Sequence, residues 1–148
     1  MAIQPDYKDI LAAFAEHDVE YLVVGGYAVG FHGQPRFTKD LDLWIRASAA
    51  NLEQVRQALV AFGAPDIVVS QLHSVSEDDV LWMGAPPVRI DIMTGVPGGD
   101  FARSYPVRVI ADWDGVQVNV VNRHDLIALK RASGRPQDLL DAAALETI

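Results

Sequence analysis

Between Asp40 and Ile45 the chain reads DLDLWI, and this alternation of carboxylate and aliphatic side chains fits a β-strand with two chemically different faces. Side chains alternate across a strand, so Asp40 and Asp42 share one face while Leu41, Leu43 and Ile45 share the other. A core must lie beneath the aliphatic face, and the acidic face must meet water or a cation. Upstream, Tyr21 to Val24 (YLVV) reads as a buried strand that ends at Gly25-Gly26. Glycines at that point let the backbone turn sharply and bring N–H groups close to an anion. Ala28 to Phe31 reads as a short helix whose N-terminal dipole points back toward the glycine pair, an arrangement that favours negative charge.

Two carboxylates about 4 Å apart in an effective dielectric of about 20 repel by roughly 4 kcal/mol. A divalent cation between them removes that cost. Carboxylate oxygens are hard ligands suited to Mg²⁺, which fills the rest of its octahedron with waters and substrate phosphates. An isolated Asp-x-Asp more often only solvates a strand end. The upstream Gly-Gly, the intervening helix and the run containing Arg36, Thr38 and Lys39 favour metal-assisted phosphate transfer instead.

Periodicity organises the remainder. Tyr7, Ile10, Leu11 and Phe14 form the stripe of an amphipathic first helix, and Leu52, Val55, Leu59 and Phe62 form another that Gly63 stops. Val80 to Met83 and Val88 to Met93 read as strands around Gly84-Ala85-Pro86-Pro87, and in the second of them Arg89, Asp91 and Met93 share a face. Asp91 lies between Ile90 and Ile92, so it must face solvent or answer to a cation, because burial of an unpaired carboxylate is prohibitive. It is a candidate third carboxylate. Val107 to Trp113 and Val116 to Val121 alternate around Asp114-Gly115, a two-residue hairpin signal. Asn122 is a good N-cap with Asp125 three residues on, Gly134 ends that helix, and Pro136 starts the last one. The expected fold is α/β (α+β): a mixed twisted sheet flanked by helices, in one domain over residues 1–148.

The pattern GG-x-AV-x-x-HG-x-x-R-x-T-x-D-L-D from Gly25 to Asp42 resembles the signature of the nucleotidyltransferase superfamily with the DNA polymerase beta type of fold. Its particular form is similar to the small bacterial enzymes related to the AbiEii and MenT toxins. DLIALKRASGRPQDLLD (Asp125 to Asp141) resembles their C-terminal motif, a helix with Lys and Arg followed by D-x-x-D on a last helix. The resemblance implies a minimal nucleotidyltransferase fold with C-terminal helices. It also implies transfer of a nucleoside monophosphate from an NTP to an acceptor hydroxyl, with Mg²⁺ (or Mn²⁺) held by Asp40, Asp42 and Asp91. Gly25, Gly26, Thr38 and Lys130 would bind nucleotide phosphates; Arg36 would either do the same or anchor the loop. Arg135, Asp138 and Asp141 would support the site, the two aspartates pairing with Lys130 or Arg135 and orienting that side chain rather than touching substrate. By the same resemblance the acceptor is a tRNA 3′ end, a protein or a small molecule, and a toxin–antitoxin setting would supply a cognate partner protein.

Composition narrows the alternatives. A formal charge of −8 over 148 residues opposes a generic nucleic-acid coat, although Arg123, Lys130, Arg131 and Arg135 gather late in the chain. Absence of cysteine excludes a thiolate metal site and fits a reducing cytoplasm. Neither a signal peptide nor an apolar run long enough to span a bilayer is legible, so no membrane association is expected. The four histidines form no metal-ligand pattern, G-x-S-x-G is absent, and a third glycine for a dinucleotide loop is missing. The rival expectation is a silent module of the same fold that binds nucleotide or a partner without turnover. So short a chain has little room for a separate acceptor domain, and oligomerisation could supply the missing wall from a second subunit.

Overall fold

The computed structural model describes residues 3–33, 38–85 and 87–148. Helix α1 (Pro5–Glu16) opens on a proline, which has no N–H to leave unsatisfied in the first turn, and its stripe Tyr7, Ile10, Leu11 and Phe14 is fully buried. β1 (Tyr21–Val24) is buried along its whole length and runs directly into α2 (Gly25–His32). β2 (Asp40–Ile45) buries Leu41, Leu43 and Ile45 completely on one face. Each contributes about 1.5–3 kcal/mol of apolar burial, so a one-residue slip in register would be strongly opposed.

Helix α3 (Ala49–Phe62) starts at Ser48, whose hydroxyl accepts from Asn51 N–H, and stops at Gly63 in the left-handed region at φ +92°. α4 (Asp66–Gln71) then leads to β3 (Val80–Ala85), which pairs antiparallel with β4 (Val88–Met93). α5 (Phe101–Ser104) precedes the hairpin of β5 (Val109–Trp113) and β6 (Val116–Val120). α6 (Arg123–Ser133) and α7 (Pro136–Glu146) complete the chain.

The strands form one six-stranded mixed sheet in the order β3-β4-β2-β1-β6-β5. β2 lies antiparallel to β1 and parallel to β4, and β1 lies parallel to β6. The mixed α/β architecture is the one the sequence leads us to expect. α1 crosses β6 and β4 and packs against α3. Buried Asn51 ties that layer to the sheet: its side chain accepts from Glu20 N–H at 2.8 Å and donates to the carbonyls of Glu20 and Arg46, each at 2.9 Å. A buried amide with all these bonds made costs little and fixes where α3 docks.

Several local expectations change, and β3 runs on to Ala85 where a turn is expected from Gly84. The strand placed at Val107 begins at Val109, because Tyr105–Val107 closes a 3₁₀ turn around Pro106. The helix placed at Ala28 begins at Gly25, so the glycine pair is its first turn rather than a loop before it. α4 and α5 are too short for a periodic apolar stripe and are not anticipated.

Candidate active site

The site forms where β1 ends and β2 begins. Val24 and Asp42 are cross-strand partners, so the Asp42 carboxylate lies over the residue after Val24. That residue is Gly25, with φ +69°, and a Cβ there would stand 1.9 Å from Asp42 Oδ2. Only glycine meets both conditions. α2 starts at the same point with no side-chain cap, so its first-turn N–H groups are donors available to an anion.

Parallel pairing of β2 with β4 sets Asp42 opposite Asp91 and Asp40 opposite Arg89. One carboxylate oxygen from each of Asp40, Asp42 and Asp91 lies within 4.8 Å of the others. Burial raises the Asp42 carboxyl to about 7, the neighbouring charges of Asp91 and Asp40 and a hydrogen bond with Asp91 add to the rise, and Lys130 opposes it. A carboxyl pushed this far marks a deficit of positive charge. Asp91 is only 8% exposed, and its Oδ1 accepts from Arg89 Nε at 2.7 Å. Arg89 in turn lies over the exposed ring of Trp82, 4.9 Å from its centroid. The bond from Arg89 to Asp91 escapes the sequence reading. The only signal is that Arg89 and Asp91 are two apart on one strand.

Beneath the cluster, the buried Tyr7 hydroxyl lies 3.1 Å from the Lys39 carbonyl and 3.0 Å from the Arg89 carbonyl. It thereby ties together the backbone of the two acidic strands beside Asp40. Burial, then Tyr27 and Asp40, raise the pKa of this hydroxyl, so it stays protonated and donates.

The opposite wall is helical. The Asn122 side chain accepts from Asp125 N–H to start α6, and Gly134 in the left-handed region turns the chain into α7. Lys130 is buried there, with Nζ 2.9 Å from Asp138 Oδ1 and 3.2 Å from Asp141 Oδ2. Asp138 also accepts from the Ser133 hydroxyl and from Arg135 Nε, the latter at 2.8 Å. Burial alone would raise Asp138, but the bonds from Ser133, Lys130 and Arg135 outweigh it and hold its carboxyl at about 2. Asp138 and Asp141 therefore hold the cation on α6, and Asp138 also lines the cleft.

A cleft of about 320 Å³ joins these walls, with Gly25, Asp40, Asp42, Asp91 and Lys130 among its lining. An adjoining polar arm is lined by Gly26, Thr38, Lys39 and Arg135 as well as Gly25. The Thr38 hydroxyl donates to the Asp40 carbonyl at 2.9 Å, pinning the start of β2. Arg36 lies outside the described residues. His32 sits apart from the carboxylates and donates through Nε2 to the Val121 carbonyl at 2.7 Å, which anchors α2 to the end of β6.

The donor set fits a divalent cation. It offers converging oxygen ligands only, and the displaced Asp42 titration reports the charge a cation would neutralise. Among the charged residues lining the cleft and its arm, Asp40, Asp42, Asp91 and Asp138 outnumber Lys39, Lys130 and Arg135, so added cations would favour entry of a polyphosphate.

No curated protein matches the chain in sequence. A crystal structure of an antigenic nucleotidyltransferase-like protein from Paracoccidioides brasiliensis is similar in fold, with a TM-score of 0.52 at 15% identity, covering 97% of this chain and 77% of that one. The model of the family described as nucleotidyl transferase AbiEii toxin, type IV toxin–antitoxin system, matches residues 9–147. The chain, with its aspartate triad on a nucleotidyltransferase-like sheet, therefore belongs to the AbiEii nucleotidyltransferase toxin family.

Proposed function

We propose that the protein transfers a nucleoside monophosphate from an NTP to an acceptor hydroxyl and releases pyrophosphate. The observation that carries this reading is the convergence of Asp40, Asp42 and Asp91 within 4.8 Å beside the open helix start at Gly25. Divalent cations held by these carboxylates would supply the positive charge that draws a triphosphate into an acidic cleft and polarises the reacting oxygens. Asp40 and Asp42 hold the triphosphate side and Asp91 the acceptor side. The first-turn N–H groups of Gly25 and Gly26 bind the outer phosphates, and Lys130 adds fixed charge behind them. The acceptor oxygen bonds to the α-phosphorus, the bond from that phosphorus to the pyrophosphate oxygen breaks, and the acceptor proton passes to the carboxylate at Asp91.

Arg89 serves this scheme as a positioning residue. Its bond to Oδ1 turns the remaining Asp91 oxygen toward Asp42 and offsets part of the repulsion within the cluster. A silent nucleotide-binding module could lose any one carboxylate without consequence, whereas transfer needs all three on one surface. Their placement on adjacent parallel strands favours catalysis over that rival. The family description places such enzymes in type IV toxin–antitoxin systems, so we assign the protein an antitoxin partner that relieves the effect of transfer.

The test is label transfer from an α-³²P NTP in Mg²⁺ or Mn²⁺ to the RNA, protein and small-molecule fractions of a cell extract. The Asp40→Ala/Asp42→Ala variant is expected to fold and to lose transfer by more than the roughly 10–100-fold typical of removing a partner behind a metal ligand. Unchanged transfer by that variant would overturn the mechanism.

A further inference from the structure

The tryptophans divide into two kinds. Trp44 and Trp113 are core residues at 2% and 1% exposure, whereas Trp82 on edge strand β3 is 54% exposed. A single exposed apolar side chain needs no explanation in itself. The position of this one calls for it. Trp82 pairs across the sheet with Asp91, and Asp91 pairs with Asp42, so the three side chains form a row on one face. At the usual strand spacing of about 4.8 Å, Trp82 starts about 10 Å from Asp42, on the far side of Asp91 from the triphosphate end.

Arg89 completes the row. Its guanidinium lies 4.9 Å from the Trp82 centroid while Nε binds Asp91. Among the described residues no other hydrogen bond reaches that guanidinium, so its terminal amino groups are left as donors. An accessible π-face, a cation stacked beside it and the carboxylate assigned to the acceptor hydroxyl can meet the base, the phosphate and the ribose hydroxyl of a terminal nucleotide. Charge limits the length of what can bind. The chain carries −8 overall, which repels an extended phosphate backbone. Arg89 beside Trp82 supplies one cation there, which suits a single strand end.

We propose that Trp82 and Arg89 form an acceptor-side platform that stacks the terminal base of a single-stranded nucleic acid and holds its phosphate. The terminal hydroxyl is thereby delivered to Asp91. This assignment rests on the nucleotidyl-transfer reading and deepens it by naming the acceptor class.

The test compares wild type with Trp82→Ala and Trp82→Phe by fluorescence anisotropy on a short labelled single-stranded RNA, with Mg²⁺-NTP affinity measured alongside. Trp82 is exposed, so both variants should fold. Trp82→Ala is expected to weaken RNA binding about tenfold or more and Trp82→Phe to stay within about threefold of wild type, since stacking tolerates any aromatic face. NTP affinity should be unchanged in both. Equal RNA affinity of wild type and Trp82→Ala would overturn the platform. So would an absence of RNA binding by wild type while label passes to a protein or a small molecule. RNA binding that depends on Trp82, together with unchanged transfer by the Asp40→Ala/Asp42→Ala variant, would sustain the platform and overturn the catalytic reading alone.

Discussion

Two acidic clusters line the cleft from opposite walls, and they hold their charge in opposite ways. On the sheet, Asp42 sits with Asp40 and Asp91 and its carboxyl rises to about 7. On the helices, Asp138 sits with Lys130, Ser133 and Arg135 and its carboxyl falls to about 2. Both aspartates are desolvated, so burial alone does not separate them. The partners do: like charges favour the protonated form, whereas cations and hydroxyl donors favour the ionised one. The helical cluster carries its own cations. The sheet cluster has an excess of negative charge, which suits it to a divalent cation.

Removing Lys130 should break this contrast most severely. Lys130→Met leaves Asp138 and Asp141 buried without their shared cation, a change that costs about 3–5 kcal/mol in comparable buried pairs. Urea unfolding should register the loss, and the denaturation midpoint should recover partly when Asp138→Asn is added. A Lys130→Met protein as stable as wild type would mean that the helical cluster does not need its internal cation.

The next effect is smaller and concerns pH. Because the folded Asp42 pKa lies above its ordinary value of 3.8, its contribution to stability is fully present below about 3.8 and is lost as pH rises through about 7. A cation that binds the ionised carboxylate competes with that proton. Millimolar Mg²⁺ should therefore raise the melting temperature more at pH 8 than at pH 5.5. At ligand concentrations near ten times Kd the gain is about 1.4 kcal/mol, a few degrees for a chain of this size. In Asp42→Asn both the increment and its pH dependence should disappear. An equal Mg²⁺ increment at the two pH values would show that Asp42 does not hold the ion.

Arg135 should give the smallest change. Its side chain is 78% exposed, so Arg135→Ala should cost less than about 1 kcal/mol at neutral pH. Asp138 contributes stability above about 3.8 that is lost as pH falls through about 2, the reverse of Asp42. Loss of Arg135 should therefore start acid unfolding at a slightly higher pH and leave the neutral midpoint almost unmoved. A large neutral destabilisation would instead make Arg135 part of the buried network.

Much of the site can be read without coordinates because its parts are local. The alternation in DLDLWI places Asp40 and Asp42 on one face, and burial of Leu41, Leu43 and Ile45 agrees with it. Gly63, Asn122 and Gly134 mark helix ends through backbone geometry and capping, which depend on neighbours a few residues away. Trp82 was less legible, since an aromatic in a strand reads as core. Its exposure is set by tertiary packing rather than by edge position, since Trp113 on the opposite edge strand is buried.

The amino-acid sequence by itself determined which carboxylates share a strand face, where α3 stops and α6 and α7 start, and that a glycine pair ends the first strand. It did so because strand and helix periods and glycine's freedom are short-range steric facts. Tertiary structure alone decided that β4 lies parallel beside β2, which makes Asp91 the neighbour of Asp42. It also decided that Arg89 bonds to Asp91, that Lys130 is shared by Asp138 and Asp141, and that Gly25 must lack a Cβ because Asp42 fills that space. Sheet order and helix docking arise from burial of apolar surface over the whole chain, and that attraction has no direction a local pattern can encode.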